Sequence, residues 1–217
     1  MKTSNTREQL AVVAAQLFYT HGITASGVDA IVRQAGVSKP TLYSHYRSKS
    51  ELVAAALDFH HQARRQMIES YLDQRSNESA EDHLLGVFDW LEDWSRQQGT
   101  RGCAFLNAAA ELVDPEDEPA RQVIRNHKQW WQSLLADLAR HAGAKDPLGL
   151  ADALLLLIDG VSARVLVSGD AGVAASARRV ARLLLWESRC PNGMPVPPGD
   201  PPQFSPRHMD DEGESDV

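Results

Sequence analysis

The segment over residues 22–52 constrains the fold of this chain most strongly, because it predicts two short helices joined by a tight turn. Apolar residues recur at helical spacing in its first half, at Val28, Ile31, Val32 and Ala35. Gly36 follows them and can end a helix by adopting a positive φ. Ser38 is placed to cap a second helix, on which Leu42 and Tyr46 share one face. The segment therefore predicts a helix-turn-helix over about residues 28–46.

The second of these helices carries polar side chains around the rest of its surface. They are Lys39, Thr41, Tyr43, Ser44 and His45. A short helix with such groups suits the major groove of DNA, where the base edges offer hydrogen-bond donors and acceptors. The alternative is a packed helical hairpin that does not bind DNA, since this shape also occurs in other proteins.

The same segment resembles the N-terminal DNA-binding domain of the tetracycline-repressor-like (TetR) family of bacterial regulators. The residues that carry the resemblance are Gly22, Val28, Ile31, Ala35-Gly36-Val37-Ser38, Thr41-Leu42-Tyr43, His45-Tyr46, Lys49 and Leu52. Two departures from the family pattern are mild. Tyr46 stands where the family usually has Phe, and Ser26-Gly27 stands where Thr-Ser or Thr-Val is commoner.

The resemblance implies which residues contact DNA. The positions expected to face bases are Lys39, Pro40, Thr41, Ser44 and His45. Tyr43 and Lys49 match positions that hold phosphates, and Ser26, at the start of the first helix of the motif, is expected to do the same because a helix N-terminus attracts anions. For each residue the alternative is a solvated surface side chain.

The charge distribution fits a protein that presents one end to DNA. The chain has 217 residues and a net charge of −7. Residues 1–60 nevertheless hold six lysines and arginines against four acids, so the excess of acids lies in the remainder. A mildly basic N-terminal unit on an acidic body is typical of such a protein, and the small excess predicts modest, salt-sensitive non-specific binding.

The pattern also excludes several function classes. Cys103 and Cys190 form no CxxC or Cys/His cluster, and the polar start of the chain shows no signal peptide, so we expect a cytoplasmic protein without disulfide or structural zinc. No nucleophile–base pair, phosphate loop or metal-binding motif is present in the sequence. We therefore predict a protein that is not an enzyme and uses no cofactor and no metal.

Helical periodicity continues along the chain and predicts an all-α fold of nine helices, which is also the TetR architecture. The first helix is expected over about residues 5–21, with Asn5 and Glu8 at capping-box spacing, and Ser26 and Asp29 repeat that spacing before the second helix. The helices after the motif are expected at about 49–74, 79–98, 102–113, 116–142, 147–168 and 172–189. We divide the chain into a DNA-binding domain over residues 1–48 and a helical effector-binding and dimerisation domain over 49–190. Residues 191–217, acidic and rich in proline, are expected to form a disordered tail.

The larger domain holds all five tryptophans and a segment, residues 101–112, similar to a motif in one subset of TetR-like regulators. The resemblance implies a ligand cavity in this region, and apolar pockets with a few polar groups suit small effectors. The candidate pocket residues are Trp90, Trp94, Phe105, Asn107, Glu111, His127 and Trp131. Plain helix packing is the alternative for this set.

The predicted helix over residues 147–168 is apolar, but Asp152, Asp159 and Arg164 within it argue against a membrane span. The family uses its last two helices for a four-helix bundle between two subunits. The resemblance therefore implies a dimer interface at Leu154, Ile158, Val161, Ala177, Val180, Ala181 and Leu184.

Together these patterns predict a homodimeric, ligand-responsive transcriptional regulator. We expect a repressor that leaves a palindromic double-stranded operator when a small-molecule effector binds. The alternative is a dimeric DNA-binding regulator without a small-molecule effector.

Overall fold

The computed structural model describes residues 2–189, with side chains from residue 6 onward. Over this range the chain forms nine α-helices and one 3-10 turn, with no strand. The helices are α1 Lys2–His21, α2 Val28–Ala35, α3 Lys39–His45, α4 Lys49–Asp73, α5 Ala80–Gln97, α6 Ala104–Glu111, α7 Glu118–His141, α8 Pro147–Ser168 and α9 Val173–Arg189. The all-α prediction is confirmed, and most helix ends lie within two residues of the expected positions.

The caps of the helix-turn-helix were predicted in part. Gly36 ends α2 with a φ of 67°, and the Ser38 hydroxyl accepts a hydrogen bond from the Thr41 amide at the start of α3. Two expected caps are wrong. α1 begins at Lys2, so Asn5 lies inside it, and α2 is capped by Gly27 with no side-chain hydrogen bond.

Three apolar clusters hold the protomer together, and α4 contributes to all of them. Its first turns place Leu52 in a core with α1, α2 and α3, and its last turns place Ile68 in the core of α5, α7, α8 and α9. A third group, which we call the junction cluster, lies between the two cores; its buried members are Ile23, Val53, Leu57, Ala104, Phe105, Ala108, Leu112 and Ala120. The helix-turn-helix unit is thus packed onto α4 and α6 of the larger body.

Most residues expected at a dimer interface lie inside the protomer instead. Leu154, Ile158, Val161, Ala177 and Ala181 are buried in the body core, while Val180 is exposed and Leu184 half-buried. The sequence pattern shows that α8 and α9 are apolar on more than one side, and it does not tell which side faces the protomer's own core. Because these five side chains are buried within the protomer, they are not available to a partner subunit, and their assignment to the dimer interface is wrong.

A different face of α8 and α9 is exposed and apolar. Its large side chains are Leu156, Val167, Val180 and Leu183, of which Leu156 is 74% and Val167 84% exposed. Gly160, at the middle of α8, has open space where a Cβ would be. We call these five residues the apolar face.

Among the described residues, no helix is long and apolar enough to cross a membrane.

The predicted disordered tail, residues 191–217, lies outside the described residues.

Candidate functional site

The surface of α3 presents the polar groups that the sequence indicates for base contacts. Lys39, Pro40, Tyr43 and Ser44 are exposed, and Thr41 and His45 are half-buried. Short local contacts hold them: Lys39 Nζ lies 2.7 Å from an Asp29 carboxylate oxygen, and the Ser44 hydroxyl donates to the Thr41 carbonyl over 2.7 Å. Because Asp29 is exposed too, a base edge can replace it as the partner of Lys39 at little cost.

Packing of the opposite side of α3 fixes the direction of that surface. Leu42 is fully buried against α1 and α2, and Tyr46, just after α3, is buried with its hydroxyl donating to the Arg7 carbonyl at 2.8 Å. A Phe at position 46 could not form this bond. The tyrosine therefore adds a hydrogen bond between the end of α3 and α1.

The structure contradicts the expected role of the Ser26 side chain. Ser26 is only 4% exposed, and its hydroxyl donates to the carbonyls of Gly22 at 2.7 Å and Leu17 at 3.3 Å. Its hydroxyl closes the loop between α1 and α2 and is turned away from a phosphate at the helix start.

The side chains of Lys49, on α4, and Glu111, on α6, both contact the loop between α1 and α2, a position expected for neither of them. Lys49 Nζ donates to the Ile23 carbonyl at 2.5 Å. The Glu111 carboxylate, from the end of α6, accepts hydrogen bonds from the backbone amides of Ile23 at 3.1 Å and Thr24 at 2.7 Å. Glu111 therefore lines a cleft against this loop together with Lys49, and Lys49 is not directed at DNA in this structure.

The loop is shaped for this contact. Gly22 has a φ of 93°, and a Cβ on it would lie 3.1 Å from a Glu111 carboxylate oxygen. Burial raises the pKa of Glu111, but the hydrogen bonds from Thr24 and Ile23 and the Lys49 charge outweigh it, so the pKa lies below its usual value. For Lys49, burial lowers the pKa against the opposing effect of Glu111 and Asp117. We call the contacts of Glu111 and Lys49 with residues 22–24 the junction contact.

Other long-range bonds support the same connection. The Tyr19 hydroxyl, on α1, donates to the Gly102 carbonyl at 3.1 Å and accepts from the Arg101 amide at 3.1 Å. On the other side of the loop, the Ser50 hydroxyl donates to the Glu116 carbonyl at 2.8 Å. The segment before α6 is therefore tied to α1, and the segment after α6 to the start of α4.

A small cavity lies at the other end of α6, among α4, α7 and α8. Three of the expected pocket residues, Phe105, His127 and Trp131, line it together with Arg64, Cys103 and Lys128. Its volume of about 20 Å³ is enough for one water molecule. An effector larger than water would have to enlarge the cavity.

The remaining expected pocket residues lie elsewhere. Trp90 and Trp94 stack with ring centroids 6.1 Å apart in the body core and do not line the cavity. The Asn107 amide donates to the Arg101 carbonyl at 2.9 Å and lies on the side of α6 that faces α1. Along a helix of eight residues, only one face can point to the cavity, and Asn107 and Glu111 lie on another.

The cavity wall is rich in basic groups: beside the expected His127 it holds Arg64 and Lys128, which the sequence did not single out. The His127 ring stacks on Phe105 at 3.6 Å, and its Nδ1 lies 3.0 Å from His61 Nδ1. Burial, followed by the charge of Arg64, lowers the pKa of His127 to about 2, so this ring is neutral at physiological pH. Among the described residues, no cluster of three or more His, Cys, Asp or Glu could hold a metal ion.

Comparison with known proteins identifies the family. The family model for bacterial regulatory proteins of the tetR family matches residues 10–56, and the model for the tetracyclin repressor-like C-terminal domain matches residues 80–181. A TetR transcriptional regulator from Streptomyces avermitilis is 31% identical, with a TM-score of 0.73 over 84% of this chain and 97% of that one. The chain belongs to the TetR family. It is a DNA-binding transcriptional regulator, and the prediction that it is not an enzyme is confirmed.

Other TetR relatives differ in the direction of regulation that their names state. The transcriptional repressor NemR of Escherichia coli is 29% identical over 115 residues, and the transcriptional activator FasR of Mycolicibacterium smegmatis is 48% identical over 54 residues. These alignments cover 52% and 25% of this chain, and 57% and 25% of the relatives. A TetR-family regulator from Streptomyces coelicolor has a TM-score of 0.75 at 29% identity, covering 86% of this chain and 97% of its own.

Proposed function

We propose that this TetR-family regulator is a homodimeric repressor whose operator affinity is lowered by a small-molecule effector in the body. The observation that carries the proposal is the position of α6. Phe105, near its start, lines the cavity, and Glu111, at its end, binds the loop of the DNA-binding unit. A ligand that displaces α6 would therefore change both the cavity and the contact between Glu111 and the loop of the DNA-binding unit.

The DNA contacts are proposed for α3. Lys39 would exchange its exposed partner Asp29 for a guanine edge, and Tyr43 would bind a phosphate. Lys39→Ala should relax the preference at one base position in each half-site by about tenfold without changing the melting temperature. An equal loss on selected and scrambled duplexes would contradict base reading by Lys39.

The dimer is proposed to form through the apolar face of α8 and α9. Its side chains are exposed on the protomer, and Gly160 leaves space for a close helix crossing. Several large apolar side chains exposed on two neighbouring helices are typical of an interaction site. To bind a palindromic operator, the proposed dimer would have to present its two copies of α3 to successive major grooves, about 34–36 Å apart.

Release is proposed to follow from enlargement of the cavity. Because the cavity holds about one water molecule, a bound effector must separate Phe105 from His127 or move the helices that carry them. Movement of α6 would strain the bonds from Glu111 to Ile23 and Thr24. The dimer would then favour an arrangement whose two α3 helices no longer match the operator.

The test needs an operator duplex selected from random sequences and a library of small molecules. Compounds that change tryptophan fluorescence should lower operator affinity over the same concentration range, because the two binding equilibria are linked reciprocally. Compounds that change fluorescence but never affinity would favour the alternative, a dimeric regulator without an effector. A reporter gene behind the selected operator would distinguish repression from activation, since relatives of both kinds are similar to this chain.

A further inference from the structure

Arg64, on α4, occupies an unusual position between the tryptophans of the body core and the cavity. Its guanidinium carbon lies 3.4 Å from the Trp94 ring centroid and 5.4 Å from that of Trp90. The same side chain lines the cavity beside Phe105 and Trp131. The aromatic contacts leave the edge of the guanidinium, where its N–H donors lie, available to another group.

The Arg64 charge has no anionic partner. Burial lowers the pKa of Arg64 to about 10, so the group stays protonated at physiological pH. Within residues 6–189 the guanidinium forms no ion pair or hydrogen bond. Asp159, the acid at the cavity, is already paired with Lys128. The cavity wall therefore carries an excess positive charge.

Two other arginines of the body are half-buried like Arg64, and both are paired. Arg75 lies 2.9 Å from a Glu78 carboxylate oxygen, and Arg189 lies 2.7 Å from one of Glu81. A partly buried cation without a counter-ion is costly, because it loses hydration on burial and only attraction to an anion or added hydrogen bonds can offset that loss. An anion is thus the chemical group that this site lacks.

We propose that the cavity beside Arg64 takes an apolar or aromatic carboxylate as its effector. The carboxylate would bind the Arg64 guanidinium through paired N–H donors, and the apolar part would lie between Phe105 and Trp131. A cationic ligand would be repelled by Arg64, and a neutral one would leave it unpaired. This inference rests on the proposed effector control and specifies the chemistry of its ligand.

The first experiment needs no ligand. Arg64→Met replaces the unpaired cation with an unbranched apolar side chain that can still pack on Trp94. We expect the melting temperature to stay the same or rise by a few degrees, because no ion pair is lost. The matched control is Arg65→Met, one position along α4, where the exposed arginine binds Glu69 at 2.8 Å. A fall of more than about 3 °C for Arg64→Met, with none for the control, would make Arg64 a core residue and overturn the proposal.

The second experiment compares carboxylates with their neutral amides on the full-length protein. The probes are benzoate, 4-phenylbutyrate, naphthalene-2-carboxylate and decanoate, each with its amide, followed by tryptophan fluorescence. At least one carboxylate should bind tenfold or more tightly than its amide in the wild type and in Arg65→Met, and Arg64→Met should remove that preference. Equal affinities within every pair, a preference that survives Arg64→Met, or no binding by any probe would overturn the proposal.

Operator affinity measured with the same probes separates this inference from the proposed function. A carboxylate that needs Arg64 to bind but leaves operator affinity unchanged would support the anion site and contradict effector control. An amide that releases the operator equally from wild type and Arg64→Met would support effector control and overturn the anion site.

Discussion

The protomer exposes two surfaces of opposite character, one on α3 and one on α8 and α9. The α3 surface is polar, and weak local contacts such as that of Lys39 with Asp29 hold its side chains. The face on α8 and α9 is apolar, with Leu156 and Val167 largely exposed. Neither surface takes part in the cores of the protomer. Residues on both surfaces can therefore be substituted without unfolding the chain. The buried residues next to them on the same helices cannot.

The largest effect is expected on the apolar face. Leu156→Arg should give a folded monomer whose operator affinity falls by about a hundredfold or more, because a single half-site binds weakly. Leu154→Arg, two residues earlier but fully buried, should unfold the protein by placing an unpaired charge in the core. Light scattering and circular dichroism distinguish the two outcomes. A Leu156→Arg variant that remains dimeric and binds DNA normally would place the interface elsewhere.

The junction contact connects the two regions and should come next in magnitude. Glu111→Gln removes the negative charge that accepts from the Ile23 and Thr24 amides, so we expect a loss of about 1 kcal/mol and a several-fold fall in operator affinity. Glu116→Gln, an exposed acid nearby, is the control. An unchanged operator affinity in Glu111→Gln would mean that the junction contact does not orient the DNA-binding unit.

The pH dependence gives the junction contact a second test. The folded-state pKa of Glu111 is lowered, so its contribution to stability is complete above the unfolded value, about 4.5, and is lost as the pH falls through the folded pKa. The stability difference between wild type and Glu111→Gln should therefore shrink only below about pH 4.5. If the stability difference between wild type and Glu111→Gln stays constant as the pH falls below about 4.5, the loss of stability comes from the shape of the side chain and not from its charge.

The variant Lys49→Ala tests whether Lys49 acts with the polar surface of α3 in DNA binding or only in the junction contact. Its bond to the Ile23 carbonyl predicts that Lys49→Ala lowers stability by about 1 kcal/mol and leaves the salt dependence of operator binding unchanged. If Lys49 binds a phosphate in the complex, the slope of log affinity against log salt should instead fall by about 0.9. Binding titrations at several salt concentrations separate these outcomes.

Ser26 and Ser44 give the smallest and most local contrast. Ser26→Ala removes a buried hydroxyl that donates to two carbonyls and should cost about 1 kcal/mol with operator preference intact. Ser44→Ala, at an exposed position on α3, should leave the melting temperature unchanged. Thermal melts of the two variants make the comparison. A larger loss in Ser44→Ala would contradict the division between surface and core.

Features that depend on neighbours within a few residues could be predicted from the amino-acid sequence. The helix-turn-helix, the αL glycine at position 36, the Ser38 cap and the bounds of most helices follow from short-range spacing, because hydrogen bonds and caps within a helix join residues three or four apart. The same spacing separated the two faces of α3, since Leu42 had to be buried.

The face with which each helix packs against its neighbouring helices could be seen only in the folded protomer. Leu154 and Leu156 are chemically identical and two residues apart, yet one is in the core and the other in solvent. Glu111 reaches backbone amides 87 and 88 residues away, and Arg64 meets Trp94 across two helices. Such contacts depend on how long helices rotate and cross when they pack, and no local pattern in an apolar helix records that choice.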